Sequence, residues 1–468
     1  METGKHGLRQ ELRLRDLVLM QVTLIVGSTW VGFAAKQGST QGVLWLLAIG
    51  LFYLPLAAVV MALSRAMPVE GGVYQWVKAG ISPFAGYMAG WSLTVYFISA
   101  FGTVGSTFAT SIAYGLGPRG SWVAESRWLA FALTFFAALL AVTFNVRGMQ
   151  VAKWLSNAGS VLTVASFVLL FFLLARAWAS DLPFARGSLA LPGFSIFTLN
   201  VLSKMSVGAL SGFDNSAVFC EECRKPGNDV ALSVVIAAPA IALMYTLGTS
   251  AVLAYNPPAK VDFAAPVPQV LQAGFGSGAL GRSLAAAGIG ASCAGLLASM
   301  VICIGMVSRL PMVAGWDGLL PAWWSELHPR FRTPVKAIVA ITAGIVTMSA
   351  IALWGTGNQE AVQVTGGAGI GALCIMYMLL FAVILAGRRG GWTRSGWGVR
   401  LGALAAFSVA LLSLVFQIVP LGEVASPALF AIKVGGALAA TYAIGAYLYW
   451  RGSRRLTLLP SVPPSPAE

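Results

Sequence analysis

Residues Ser206–Pro226, SVGALSGFDNSAVFCEECRKP, decide how this chain is read. The stretch starts inside a long apolar run, which Gly208, Ser211 and Gly212 interrupt with small, helix-weakening residues. Asp214 follows at once, at a depth where charge is expensive and an ionisable group has a task or a partner. The run leaves through Cys220-Glu221-Glu222-Cys223-Arg224-Lys225-Pro226, a charged, proline-closed membrane boundary. A broken helix of this kind frees backbone N–H and C=O groups, the arrangement with which transporters hold a substrate.

Working outward, composition excludes an ordinary soluble globule. Of 468 residues, 57% are hydrophobic and 10% charged, whereas soluble domains carry about 25% charged residues. Apolar segments long enough to cross about 30 Å of hydrocarbon recur at residues 17–36, 41–64, 84–115, 127–146, 154–177, 195–220, 231–254, 283–310, 335–354, 361–387, 400–420 and 428–450. The fold class expected is therefore an all-α polytopic membrane protein with 12 transmembrane helices. The net charge of +14 suggests nucleic acid until its placement is considered. With the N-terminus inside, 21 of the 30 Lys and Arg fall in inner segments, so the basicity sets topology and puts both termini in the cytoplasm. No nucleic-acid partner is expected. Five scattered cysteines give no disulfide framework. The Cys220-x-x-Cys223 pair lacks further metal ligands, since the histidines are His6 and His328 alone. No small-residue cleavage site follows the basic N-terminus, so the first span is expected to be retained.

The first span carries Val26-Gly27-Ser28-Thr29-Trp30-Val31-Gly32 at its centre. Its small residues suit close helix packing or a break whose freed backbone groups Ser28 and Thr29 can bond. A second interruption at 208–214 favours the break, because paired interruptions in two halves of a chain point to a binding site. After the second span comes Arg65-Ala66-Met67-Pro68-Val69-Glu70-Gly71-Gly72-Val73-Tyr74, a turn with room for a short helix from Val73 to Lys78.

That pattern, P-x-x-G-G-x-Y, followed by Pro83, Gly86 and Gly90-Trp91, resembles the amino acid–polyamine–organocation transporters. The resemblance extends through Asn145-Val146-Arg147-Gly148, Gly212-Phe213-Asp214 and Glu221-Glu222-x-x-Lys225-Pro226. It is most specific in Ser308-Arg309-Leu310, Asp317-Gly318-Leu319-Leu320-Pro321, His328-Pro329 and Thr333-Pro334, and covers about residues 15–390. It implies a 5+5 inverted repeat of the LeuT-like kind with two peripheral helices. The corresponding domains are a cytoplasmic segment 1–15, repeats 16–180 and 190–390, helices 11 and 12 at 398–452, and a disordered cytoplasmic tail 453–468. Residues 255–281 become an outer loop over the vestibule. The function implied is a secondary transporter of amino acids or related amines in the plasma membrane, working by alternating access. A non-transporting sensor on the same fold and a polyamine or organocation exchanger are the alternatives. An enzyme needs a catalytic constellation, and none is visible.

The resemblance also distributes roles. The first break, Gly27, Ser28, Thr29 and Trp30, would receive a substrate carboxylate at a helix N-terminus, and carbonyls near Ser211 and Gly212 its ammonium. The family commonly has Gly-Ser-Gly-Ile where this chain has Gly27-Ser28-Thr29-Trp30, which crowds the site and favours a small substrate. Trp30 is read as a lid or as packing. Asp214 is read as ammonium contact, protonatable gate or simple helix cap. Glu222 joins the cytoplasmic boundary as a gate pair or a solvated charge. Lys204 either snorkels to the interface or faces the vestibule, where it disfavours cations. Thr163 stands where proton-coupled relatives place a lysine, and Ser292 in the eighth span is a candidate facing hydroxyl. No cofactor is expected. The coupling ion, H⁺ through Asp214 or Na⁺ through Thr163 and Ser292, and uncoupled exchange all stay open. The partners expected are a small amino acid or amine and the bilayer, with a homodimer left open.

Overall fold

The computed structural model describes residues 10–182, 188, 190–225, 228–276, 278–353, 358–386, 396–421, 424 and 426–458. Within them the chain is helical, and its one extended pairing is an isolated parallel bridge between Leu12 and Cys223. Among the described residues eleven helices are long and apolar enough to cross a bilayer, twelve counting the bent pair at the N-terminus as one span. The all-α polytopic class expected from hydropathy is the observed one.

The first span is two helices, Leu14–Ile25 and Ser28–Ala35, meeting at 46°. Val26 and Gly27 between them are extended, with ψ of 103° and 134°. The sixth span, Ile196–Glu222, changes character along its length. A regular turn to Ser203 widens into a π-helical segment Lys204–Ala209, breaks at Leu210–Gly212, and resumes as a tighter 3₁₀ segment Phe213–Glu222. Gly212 has φ of +116°, open only to a residue without Cβ. This span is also the most enclosed, with 78% of its apolar window buried against 28% and 17% for the eleventh and twelfth. Outward-facing Phe136, Ile351 and Leu401, each more than 60% exposed, belong to the lipid-facing perimeter.

The short helix expected near Val73 is Val73–Gly80, and contacts to it explain two of the motifs. Tyr74 donates to Asp317 Oδ2 (2.5 Å) and Lys78 pairs with Asp317 at 2.7 Å, fastening the turn before the third span to the turn after the eighth. Asn145 donates to the Val301 carbonyl (2.8 Å), and Thr333 to the Val146 carbonyl (3.1 Å). The P-x-x-G-G-x-Y, N-x-x-G and D-G-L-L-P signatures are thus clamps between distant parts of the chain.

Two expectations change. Residues 255–281 are not a plain loop but include a helix Pro266–Phe275, whose Pro266 ring packs over Gly32 of the first span. The last helix runs from Pro427 to Leu458, so residues 453–458 of the expected disordered tail are helical, and Arg454 stacks over the Trp450 ring at 3.6 Å. The rest of that tail, like His6 and Pro226, lies outside the described residues.

Candidate functional site

Both breaks end on a tyrosine. At the first, Tyr245 of the seventh span donates to the Ile25 carbonyl and accepts from the Gly27 N–H (3.2 Å). At the second, Tyr377 of the tenth span donates to Asp214 Oδ1 (2.7 Å) and accepts from the Gly212 N–H (2.9 Å). The Tyr245 hydroxyl thereby satisfies two backbone groups that the helix has released, and the Tyr377 hydroxyl one backbone N–H and the Asp214 carboxylate, groups that are costly to leave unpaired in hydrocarbon. Neither tyrosine was singled out from sequence. A lone Tyr in an apolar run is the only local signal, and packing produces the same signal.

A cavity of about 180 Å³ opens at the first break. Gly27, Ser28, Thr29 and Trp30 line it, together with Thr163 of the fifth span, Lys204 of the sixth and Ser292 of the eighth. The N–H groups of Ser28 and Thr29 belong to the first turn of Ser28–Ala35, where an α-helix offers no internal acceptor. The far wall is formed by the start of the tenth span (Gln363, Thr365) and by residues 419–421.

Ser211 and Gly212 lie elsewhere, on a second cavity of about 10 Å³ with Asn215 and Tyr377. Asp214 lines neither cavity and is fully buried. Trp30 lines both spaces, together with Leu24, Ile25, Tyr96 and Phe97. A Cβ on Gly208 would sit 2.6 Å from Trp30 Cζ3, and one on Gly27 3.0 Å from Trp30 Cδ1, so both glycines are required for the ring to span the gap between the broken helices. The structure therefore brings Gly27–Trp30, Thr163, Ser292 and Lys204 together, places Ser211 and Gly212 on the second cavity, and leaves Asp214 on neither. The physical cause is long-range: Tyr377 of the tenth span binds Asp214, and the Trp30 ring packs against Gly208 of the sixth.

Lys204 does not snorkel. It is 5% exposed and donates to Gln417 Oε1 at 3.0 Å. Glu222 is a paired charge rather than a solvated one. Arg309 of the eighth span donates to Glu222 Oε1 (2.5 Å) and sits 3.6 Å from Glu70 Oε1, with its guanidinium 4.7 Å from the centre of the Phe219 ring. Glu70 Oε2 accepts from the Glu221 N–H (2.9 Å). All three side chains are 5% exposed or less. Burial raises the Glu70 carboxyl well above its ordinary range; neighbouring Glu222 adds to that, and Arg309 opposes it. Beside this cluster, Glu11 and Leu12 donate their N–H groups to the Glu222 carbonyl (3.0 and 2.9 Å), and Arg224 donates back to the Leu12 carbonyl (3.0 Å). The end of the molecule that carries the N-terminal segment is therefore sealed, with the cavity on the other side of the seal.

A profile of the amino acid permease family matches residues 12–443. The chain belongs to that family. Relatives with the same extent agree in kind. An uncharacterized transporter of Mycobacterium tuberculosis is 26% identical over 351 residues, 74% of each chain. The branched-chain amino acid permease BcaP of Bacillus subtilis is 24% identical over 360 residues, 72% of this chain and 73% of its own. The vacuolar cationic amino acid transporter 4 of Arabidopsis thaliana is 24% identical over 366 residues, 72% of this chain and 58% of its own. These relatives are transporters, and this multi-pass membrane protein is a permease of the same family. Within the permease, Tyr74 with Asp317 holds the scaffold, while Lys204 and Trp30 line the cavity.

Proposed function

We propose that the permease moves amino acids or close amine relatives across the plasma membrane by alternating access, with the substrate held at the breaks of the first and sixth spans. The observation that carries this reading is the helix start at Ser28 opening on a 180 Å³ cavity while the opposite end is sealed. Backbone N–H groups at such a start attract a carboxylate. The sealed end, rich in Arg and Lys by the positive-inside bias, is assigned to the cytoplasm together with both termini. In the opposite state Trp30 leaves Gly208, the two cavities merge, and residues Ser211 and Gly212 supply carbonyls to the substrate ammonium. The two repeats, 16–180 and 190–390, would rock against each other about this site.

Uptake of labelled amino acids by proteoliposomes tests the reading. Flux above that of empty liposomes is expected for at least one amino acid or amine, and binding without flux would instead make the protein a sensor. Coupling is separated in the same assay by varying sodium and pH independently. Thr163 and Ser292 share the cavity wall with Val26, so Na⁺ coupling predicts a sodium dependence lost in Thr163→Ala. Proton coupling predicts a pH dependence lost in Asp214→Asn. Flux needing only substrate on the opposite side identifies exchange.

A further inference from the structure

Among the residues that line the cavity at the first break, Lys204 is the sole Lys, Arg, Asp or Glu. Its position is fixed by long-range packing. The π-helical segment Lys204–Ala209 turns it toward Gln417 at the end of the eleventh span. Gln417 is itself fully buried and held in place by donating to the Ser413 carbonyl (2.8 Å). An ammonium has three donors, and Gln417 takes one. Among the described residues no carboxylate forms an ion pair with Lys204; Glu360 pairs with Lys433, and Asp214 accepts from Tyr377. A buried charge at membrane depth without a counter-charge is costly. Among the described lining residues the Lys204 ammonium is the one charged group, so an anionic group entering the cavity meets a positive site.

We propose that Lys204 determines the charge class of the substrate. The amino acids preferred are those whose side chain carries a second carboxylate, received by the Lys204 ammonium, while cationic amino acids are excluded. The α-carboxylate keeps its place at the Ser28 helix start, so the inference rests on the permease reading and adds the side-chain specificity to it. The two N–H donors not used by Gln417 make charge-assisted bonds, which are about twice as strong as neutral ones. Glutamine, identical in shape to glutamate but uncharged, lacks that gain.

The test is competition between glutamate, glutamine and lysine for binding and uptake by the full-length protein in proteoliposomes. The wild type is expected to prefer glutamate over glutamine by about tenfold or more, the size of one charge-assisted contact, with lysine the weakest competitor. Lys204→Met should bring the glutamate-to-glutamine ratio to about one, and Lys204→Arg should preserve the wild-type order. A wild type that takes glutamine or lysine as well as glutamate overturns the proposal without recourse to any variant, as does a Lys204→Met protein that keeps the preference. Either result leaves the permease reading standing, because flux of the neutral amino acid persists. Absence of flux and binding for every amino acid and amine sinks the permease reading itself, and the charge assignment with it.

Discussion

Replacing Arg309 by Gln tests the seal directly. In the closed arrangement one guanidinium serves two buried carboxylates, Glu222 at 2.5 Å from Nε and Glu70 at 3.6 Å. The variant leaves both acids facing each other with no cation, all within side chains 5% exposed or less. Breaking a buried ion pair from one side costs about 3–5 kcal/mol. Protonating Glu70, whose carboxyl is already held high by burial, recovers part of that. Opening this end re-hydrates both acids, so the loss falls on the closed state alone. A net shift of about 2 kcal/mol or more changes the closed-to-open ratio by more than about tenfold. Cys223, fully buried and bridged to Leu12, reports the opening. With the other four cysteines replaced, its reaction with a maleimide is limited by the open population when reclosing is fast. Labelling should rise at least about tenfold in Arg309→Gln and return toward the wild-type rate in Glu70→Gln/Arg309→Gln. A parallel protein retaining only Cys374, fully buried in the tenth span, should stay unlabelled in both and so exclude general unfolding. Equal Cys223 labelling in wild type and Arg309→Gln would refute the reasoning that this cluster holds the end shut.

Other outcomes follow from the same geometry. Because the Glu70 carboxyl is raised in the closed state by burial and by Glu222, with Glu221 and Cys223 nearby and Arg309 opposing, that state binds the proton more tightly than the open one. Closure is therefore fullest below the ordinary carboxylate range and weakens as pH rises from there through the raised value; Cys223 labelling, corrected for the thiol's own titration, should climb with pH, and Glu70→Gln should flatten that climb. Tyr377→Phe strips the Gly212 N–H and Asp214 Oδ1 of their shared partner, a loss of about 1–3 kcal/mol per unsatisfied buried group, and should lower the unfolding temperature in detergent more than Tyr447→Phe at the half-exposed rim. Gly208→Ala forces a methyl into the Trp30 ring, whose Cζ3 lies 2.6 Å away; uptake should fall, and Trp30→Ala in the same protein should restore part of it, whereas no recovery would argue against that contact as the cause.

What the sequence determined by itself is what local physics controls. Twelve apolar runs had to be spans because exposed backbone cannot cross hydrocarbon without internal hydrogen bonds, and small residues marked both breaks, Gly212 because its left-handed backbone suits a residue without Cβ. The short helix after Gly72 was legible from the proline and paired glycines before it. The tertiary structure decided which of those residues meet. Trp30 and Gly208 are far apart in sequence, yet they pack together where two cavities meet residues expected to form one site, and Asp214 lines neither. Lys204 and Gln417 are separated by 213 residues, and Arg309 and Glu222 by 87. A sequence shows each charge that must be buried but does not say what stands opposite it, since the partner is chosen by how distant helices pack, and that choice is what separates an interfacial lysine from a cavity-lining one.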